Sequence, residues 1–237
     1  MDELGVNKNL PVLRLNRAST GISQFDIMLD GGYKNPASIA LIGPGGMEKP
    51  AFAFHFISAG IQAGDRVLII TTDRTPEELE KLAAEMGMSI KSELVKYLDC
   101  YSATISAPAP PTPNITQISG PGALNELSLT INESVEQMKA KRLRVVFYSL
   151  STLSVHSQPD SLFKFLSLVD GRLKNANATT LFLVDEGMHD EKFLTQLKHS
   201  VDQEFTIKVS EGARLVSSPE FPMDVPVKLG PLGVEVE

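Results

Sequence analysis

Cysteine is almost missing from this chain of 237 residues: Cys100 is the single one. That excludes an internal disulfide and a cysteine-rich zinc site, and a thiol at a strand position is expected to be buried and inert. Long apolar runs are also missing. No stretch reaches the roughly 18 apolar residues that a bilayer-spanning helix needs. Positive charge is scarce, with 22 Lys and Arg against 29 Asp and Glu and a formal net charge of -7. This argues against a protein that holds nucleic acid through a broad basic surface. The start, Met1-Asp2-Glu3-Leu4, lacks the basic and apolar regions of a secretory signal, so a cytoplasmic protein with no membrane association is expected. His156 and His199 have no partner at a recognisable spacing, and nothing in the chain reads as a Ser/His/Asp or Cys/His nucleophilic site.

What is present is enough apolar sequence for a core, 42% of residues, with 22% charged. Short apolar runs at 38–43, 66–72, 143–148 and 179–184 alternate with amphipathic stretches at 51–63, 75–86, 123–141, 160–173 and 191–201. Thr75-Pro76-Glu77-Glu78 opens its stretch with an N-cap, a proline and first-turn acids. Leu124, Leu127, Ile131 and Val135 mark one face of theirs. Residues 89–97 read as a further helix and 97–101 as a strand. His55 falls within an apolar helix, as a core or edge histidine. Strand candidates at 205–209, 213–217, 225–229 and 233–236 end the chain, with a turn at Gly230-Pro231. The alternation predicts a mostly parallel α/β sheet with helices on both faces and an antiparallel C-terminal edge. One domain over 1–237 is expected. It has an N-terminal extension over 1–17 and a Pro-rich surface loop over 106–122, where neither helix nor ladder is expected.

The most informative motif is Gly43-Pro44-Gly45-Gly46-Met47-Glu48-Lys49-Pro50, set between the first strong strand and a helix. A phosphate loop reads G-x-x-x-x-G-K-[ST]. Gly43 and Lys49 fit, but Glu48 stands in place of the second glycine and Pro50 in place of the Mg²⁺-binding hydroxyl. Glycine serves there because a missing Cβ lets the backbone approach phosphate oxygens. A carboxylate about 4 Å from a phosphate charge would cost roughly 4 kcal/mol, near a thousandfold in affinity. Pro50 offers neither a hydroxyl nor an N–H, yet is comfortable as the first residue of a helix.

Three further segments join this loop: Ser19-Thr20-Gly21-Ile22 through Gly32, Thr71 through Glu78, and Arg144 through Ser151. Their order and spacing over 18–237 resemble the KaiC/RadA branch of the RecA-like P-loop ATPases. The resemblance implies that fold, self-association, and an ATP site with Mg²⁺ built from a Walker B aspartate and a pair of glutamates. Here Tyr148 stands at the Walker B position and Asp73 and Arg74 at the glutamates. Tyrosine is a poor substitute for a carboxylate, and arginine cannot act as a base. Metal ligand, metal helper and base are thus all changed. The expected vestigial nucleotide site is Gly43, Gly45, Gly46, Glu48, Lys49 and Pro50, with no catalytic residue and no metal.

Asp185, Glu186, His189, Asp190 and Glu191 could be read as a metal or acid–base cluster, but helix capping accounts for them better. Lys139-Ala140-Lys141-Arg142-Leu143-Arg144 is the most basic segment, and a basic helix end accounts for it. The region 185–201, where RadA relatives would meet DNA, holds no basic run and no interleaved aromatics. The expectation is a non-catalytic regulatory or scaffolding protein with protein partners, either copies of itself or active relatives. No cofactor is expected beyond weakly held ATP and Mg²⁺. The alternatives are a slow ATP-binding switch rebuilt on Lys49 and Asp73, and a DNA-binding recombination accessory.

Overall fold

A computed structural model describes residues 16–105, 112–210 and 212–237. The chain enters through β1 (Arg17–Ala18), α1 (Ser23–Met28) and β2 (Tyr33–Lys34), with β1 and β2 paired antiparallel. The alternation follows: β3 (Ala37–Gly43), α2 (Glu48–Ala63), β4 (Arg66–Thr71), α3 (Pro76–Glu85) and β5 (Val95–Asp99). After α4 (Ser102–Ile105) come β6 (Ile115–Gln117), α5 (Leu124–Met138), β7 (Leu143–Tyr148), α6 (Leu150–Val155), α7 (Pro159–Asn175), β8 (Ala178–Asp185) and α8 (Glu191–Ser200). The end is β9 (Gln203–Ser210), β10 (Ala213–Ser217), β11 (Val225–Gly230) and β12 (Gly233–Val236).

Ten strands form one sheet in the order β12-β11-β10-β9-β3-β8-β7-β4-β5-β6. Strands β9 through β6 in that order are parallel, and β10 to β12 extend the other edge antiparallel. Successive strand side chains face opposite ways, so the sheet builds two cores. Ile39, Leu41, Val67, Ile69, Val146 and Leu181 meet α1, α2 and α3 on one face. Ala40, Ile42, Leu68, Ile70, Val145, Phe147 and Phe182 meet α5 to α8 on the other. This double burial explains why β3, β7 and β8 are apolar runs rather than alternating ones.

Two local expectations are corrected. Residues 89–97 form no helix: Val95–Asp99 is β5, paired in parallel with β4. Pairing with a buried strand overrides a weak helical pattern. Within the Pro-rich stretch, residues 106–111 lie outside the described residues, while Ile115–Gln117 forms β6 on the edge beside β5. That ladder uses residues beyond the last closely spaced proline, Pro113, so its N–H donors are intact. Thr75 caps α3 as expected: its hydroxyl accepts the Glu78 N–H at 3.2 Å, and Glu78 Oε2 accepts the Thr75 N–H at 2.9 Å. Leu127 and Ile131 are buried on α5, with Leu124 and Val135 packed beside them. Cys100 is buried and its thiol is pushed far up by desolvation, with Asp99 adding to the rise. No described helix is long and apolar enough to cross a membrane.

The basic segment before β7 is not a helix end. Helix α5 stops at Met138, Lys139 takes a left-handed conformation, and Arg144 is buried at 1% exposure. Arg144 Nε donates to Asp65 Oδ2 at 2.8 Å, and Nη1 donates to Ser19 O at 2.6 Å and Phe56 O at 2.8 Å. Its guanidinium also lies 4.6 Å from the centre of the Phe56 ring. One arginine therefore ties the N-terminal entry, α2 and β7 together. Gly60 leaves room for it, because a Cβ there would run into the Arg144 stem.

Candidate functional site

The C-terminal ends of β3, β8, β7 and β4 lie side by side, and the sequence-nominated residues gather there. This is the edge at which open parallel sheets hold ligands. The loop 43–47 leaves β3 and leads into α2, whose first residue is Glu48. Pro50 is thus the third helical residue, not the first. It still lies in the first turn, where an N–H would have no intrahelical partner. Gly43 is buried, and a Cβ on it would come within 2.9 Å of Ile207 Cβ on β9. Gly46 has φ +152°, a conformation that suits glycine.

Lys49 is buried, at 4% exposure, and points back into the loop. Its Nζ donates to Gly43 O at 2.9 Å and to Pro44 O, and lies 3.1 Å from Asp185 Oδ1 at the end of β8. Glu48 does not pair with Lys49. Its carboxylate is bonded to Arg214 Nε on β10, and a Cβ on Gly46 would lie only 2.5 Å from Glu48 Oε2. The carboxylate is therefore folded over the loop at Gly46. Both charged side chains of the loop have protein partners.

Asp73 and Arg74 follow β4. Both are exposed, and the Asp73 carboxyl is pushed up to about 6. Desolvation is the main cause; Arg74 pulls the other way, while Asp185 and Glu78 push it further up. Tyr148, the last residue of β7, is buried, and its phenol is raised to about 12. Desolvation again leads, followed by the charge of Asp73, against the pull of Arg74. The Tyr148 ring stacks on Phe54 of α2 with centroids 6.2 Å apart. A phenol in that state is protonated at neutral pH and supplies no negative charge.

The structure adds a contact that no sequence spacing announced. Ser151 Oγ and His189 Nε2 are 2.7 Å apart, and Ser151 Oγ accepts the Asp185 N–H at 2.7 Å. Ser151 is fully buried, and desolvation lowers the His189 pKa against the raising effect of Asp185 and Asp190. The Ser151–His189 hydrogen bond, together with the Asp185 N–H that Ser151 accepts, fixes the backbone at Asp185 beside Lys49. Burial of Ser151 denies it the access that a nucleophile needs. Asp190 caps α8 by accepting the Phe193 N–H at 2.7 Å, the capping role expected of that cluster. Among the described residues, no three His, Cys, Asp or Glu are placed to hold a metal ion. His55 is an edge histidine: its Nε2 accepts the Val234 N–H at 3.0 Å and holds β12 against α2.

Comparisons with known proteins agree with this geometry. A family model described as ATPase: KaiC matches residues 18–216. The circadian clock oscillator protein KaiC of Parasynechococcus marenigrum (strain WH8102) is 26% identical over 177 residues, covering 73% of this chain and 33% of that protein. UPF0273 protein MK0039 of Methanopyrus kandleri is 23% identical over 195 residues, covering 80% of this chain and 75% of that protein. The chain spans about a third of the length of the KaiC relatives it matches. The crystal structure of the KaiC-like protein PH0186 from Pyrococcus horikoshii OT3 aligns with a TM-score of 0.74 at 19% identity, covering 94% of this chain and 99% of that one. The sheet order, the place of the loop and these matches bear out the RecA-like α/β fold, and the chain belongs to the KaiC ATPase family.

Proposed function

We propose that this protein is a non-catalytic member of its family, a regulatory or scaffolding protein whose nucleotide site is filled by its own side chains. The observation that carries this reading is the Glu48 carboxylate folded over Gly46 and held by Arg214. An anion already sits in the loop, and its charge would repel a second one. Lys49, the cation that would answer a phosphate, is satisfied by Asp185 and two backbone carbonyls. Breaking those contacts would leave Asp185 without its cation, so nucleotide entry carries a cost on both sides of the loop.

Mg²⁺ does not suit the residues present. Pro50 has no hydroxyl, and Tyr148 is a protonated phenol where a carboxylate would help hold the ion. Arg74 cannot take a proton from water. Of the carboxylates near the site, Glu48 is held by Arg214 and Asp185 by Lys49, which leaves Asp73. We therefore derive no hydrolytic step. The family framework, retained without this chemistry, is suited to contacts with further copies of the chain or with active relatives, in a cytoplasmic setting. DNA is disfavoured by the net charge of -7 and by the burial of Arg144, the last cation of the most basic segment.

The test is a sensitive phosphate-release assay with ATP and Mg²⁺ on the wild type and on Lys49→Ala. The reading expects no release above a protein-free control in either. Turnover by the wild type that disappears in Lys49→Ala would overturn it.

A further inference from the structure

On the face of the sheet covered by α5 to α8, away from the phosphate loop's helix, a cleft of about 740 Å³ opens between the first turns of α5 and α7. Its size falls within the range of small-molecule sites. Leu124, Phe165 and Leu168 give it apolar lining, and Leu168 is 51% exposed there. An exposed leucine beside an aromatic ring in a concave place is what a ligand body would cover.

Among the described residues, the polar lining includes one buried group without a partner and one cation outside any ion pair. The Ser157 hydroxyl is buried and has no hydrogen-bond partner among the described residues. A buried polar atom without a partner costs free energy, so a group that bonded it would be favoured. Lys164 lies on α7 one turn from the helix start and forms no ion pair among the described residues. Neither helix start is capped by a side chain: the N-cap positions are Ala123 for α5 and Gln158 for α7. Their first-turn N–H groups bring partial positive charge to the same cleft. The one carboxylate in the lining, Glu126, is engaged by the Ser119 N–H. Asp160, the acid of the α7 first turn, lines a separate hollow beside α8.

We propose that this cleft binds a small organic anion: a carboxylate or phosphate monoester carrying an aryl or acyl body. Lys164 and the Ser157 hydroxyl take the anionic head, and the body lies over Leu124, Phe165 and Leu168. The site is separate from the loop 43–50 and does not depend on whether that loop holds nucleotide. It also has a route to the Tyr148 region. Ser157 and His156 follow the end of α6, and α6 begins one residue after Ser149, which accepts the Thr152 N–H as its cap.

The experiment is amide chemical-shift mapping of the full chain with phenyl phosphate, using benzylamine as a cation of similar shape. The expected result is shifts centred on Gly122, Ser157 and Ser161 at millimolar phenyl phosphate, and none there with benzylamine. Lys164→Ala should weaken binding about tenfold, as expected for one charged hydrogen bond, and Ser157→Ala should weaken it less. Lys228→Ala, on β11, serves as a charge-matched control and should bind as wild type does. The proposal is overturned by no shifts at the cleft, by shifts confined to the loop 43–50, by equal binding of benzylamine, or by unchanged affinity in Lys164→Ala.

Discussion

Glu48 and Arg214 form an ion pair across 166 positions of sequence, joining the first turn of α2 to the antiparallel strand β10. The contact turns the phosphate loop into a closed internal network. Glu48 is held by Arg214, Lys49 by Asp185 and the loop carbonyls, and the Asp185 N–H by buried Ser151, itself bonded to half-buried His189. Charges that would greet a ligand in an open loop instead fasten β3, β8 and β10 together.

Removing the carboxylate should reopen the loop. Glu48→Gly restores the missing glycine and frees Arg214, so it should gain affinity for inorganic pyrophosphate over the wild type, by up to about a thousandfold. Isothermal titration with pyrophosphate reads this directly. If Glu48→Gly binds no better than wild type, the carboxylate is not what closes the loop.

Arg144 is a purely structural counterpart. Arg144→Ala leaves Asp65 buried without its cation and two carbonyls without donors, so it should cost about 3–5 kcal/mol. For a chain of this size each kcal/mol lowers the melting temperature by about 2–4 °C. A fall of less than about 3 °C in a thermal melt would show that the network matters little.

The α3 cap offers a smaller and cleaner test. Thr75→Ala removes the hydroxyl that accepts the Glu78 N–H and should cost about 1 kcal/mol. Thr75→Ser keeps the oxygen and should retain most of that stability. Equal losses in both variants in a urea melt would contradict the capping account.

His55 makes β12 sensitive to acid. Desolvation lowers its folded pKa below the ordinary 6.5, so folding favours the neutral ring, the form that accepts the Val234 N–H. Its contribution is complete above the unfolded value and is lost as pH falls through 6.5 towards the folded value. Between pH ~7.5 and ~5.5 the wild type should lose more melting temperature than His55→Gln, which cannot titrate in that window. Parallel pH profiles would remove His55 as the cause, and His189, also lowered, would be the next group to substitute.

Much of this molecule was legible in its sequence because the doubly buried strands leave unmistakable marks. The runs at 38–43, 66–72, 143–148 and 179–184 became β3, β4, β7 and β8, the strands that carry the loop and Tyr148. Thr75-Pro76-Glu77-Glu78 carries its own local chemistry, and the cap formed as expected. The strand expected at 97–101 is present as β5 over 95–99, but 95–96 and 115–117 misled for the opposite reason: their strand character comes from a neighbouring strand, which no local pattern records. The site was only half legible. Spacing nominated Glu48 and Lys49 but could not name Arg214 or Asp185 as their partners, since those contacts depend on strand order. Ser151 was hidden as an ordinary residue of a short helix until the sheet placed it against His189, 38 positions away.

The most direct test of a self-occupied site is the thermal unfolding of the wild-type chain with and without millimolar ATP and Mg²⁺. A ligand at about a hundred times its Kd stabilises by about 2.7 kcal/mol, a rise of roughly 5–11 °C here. The account predicts superimposable melts with and without the nucleotide. A clear upward shift, lost in Lys49→Ala, would contradict it and show that the loop still grips ATP.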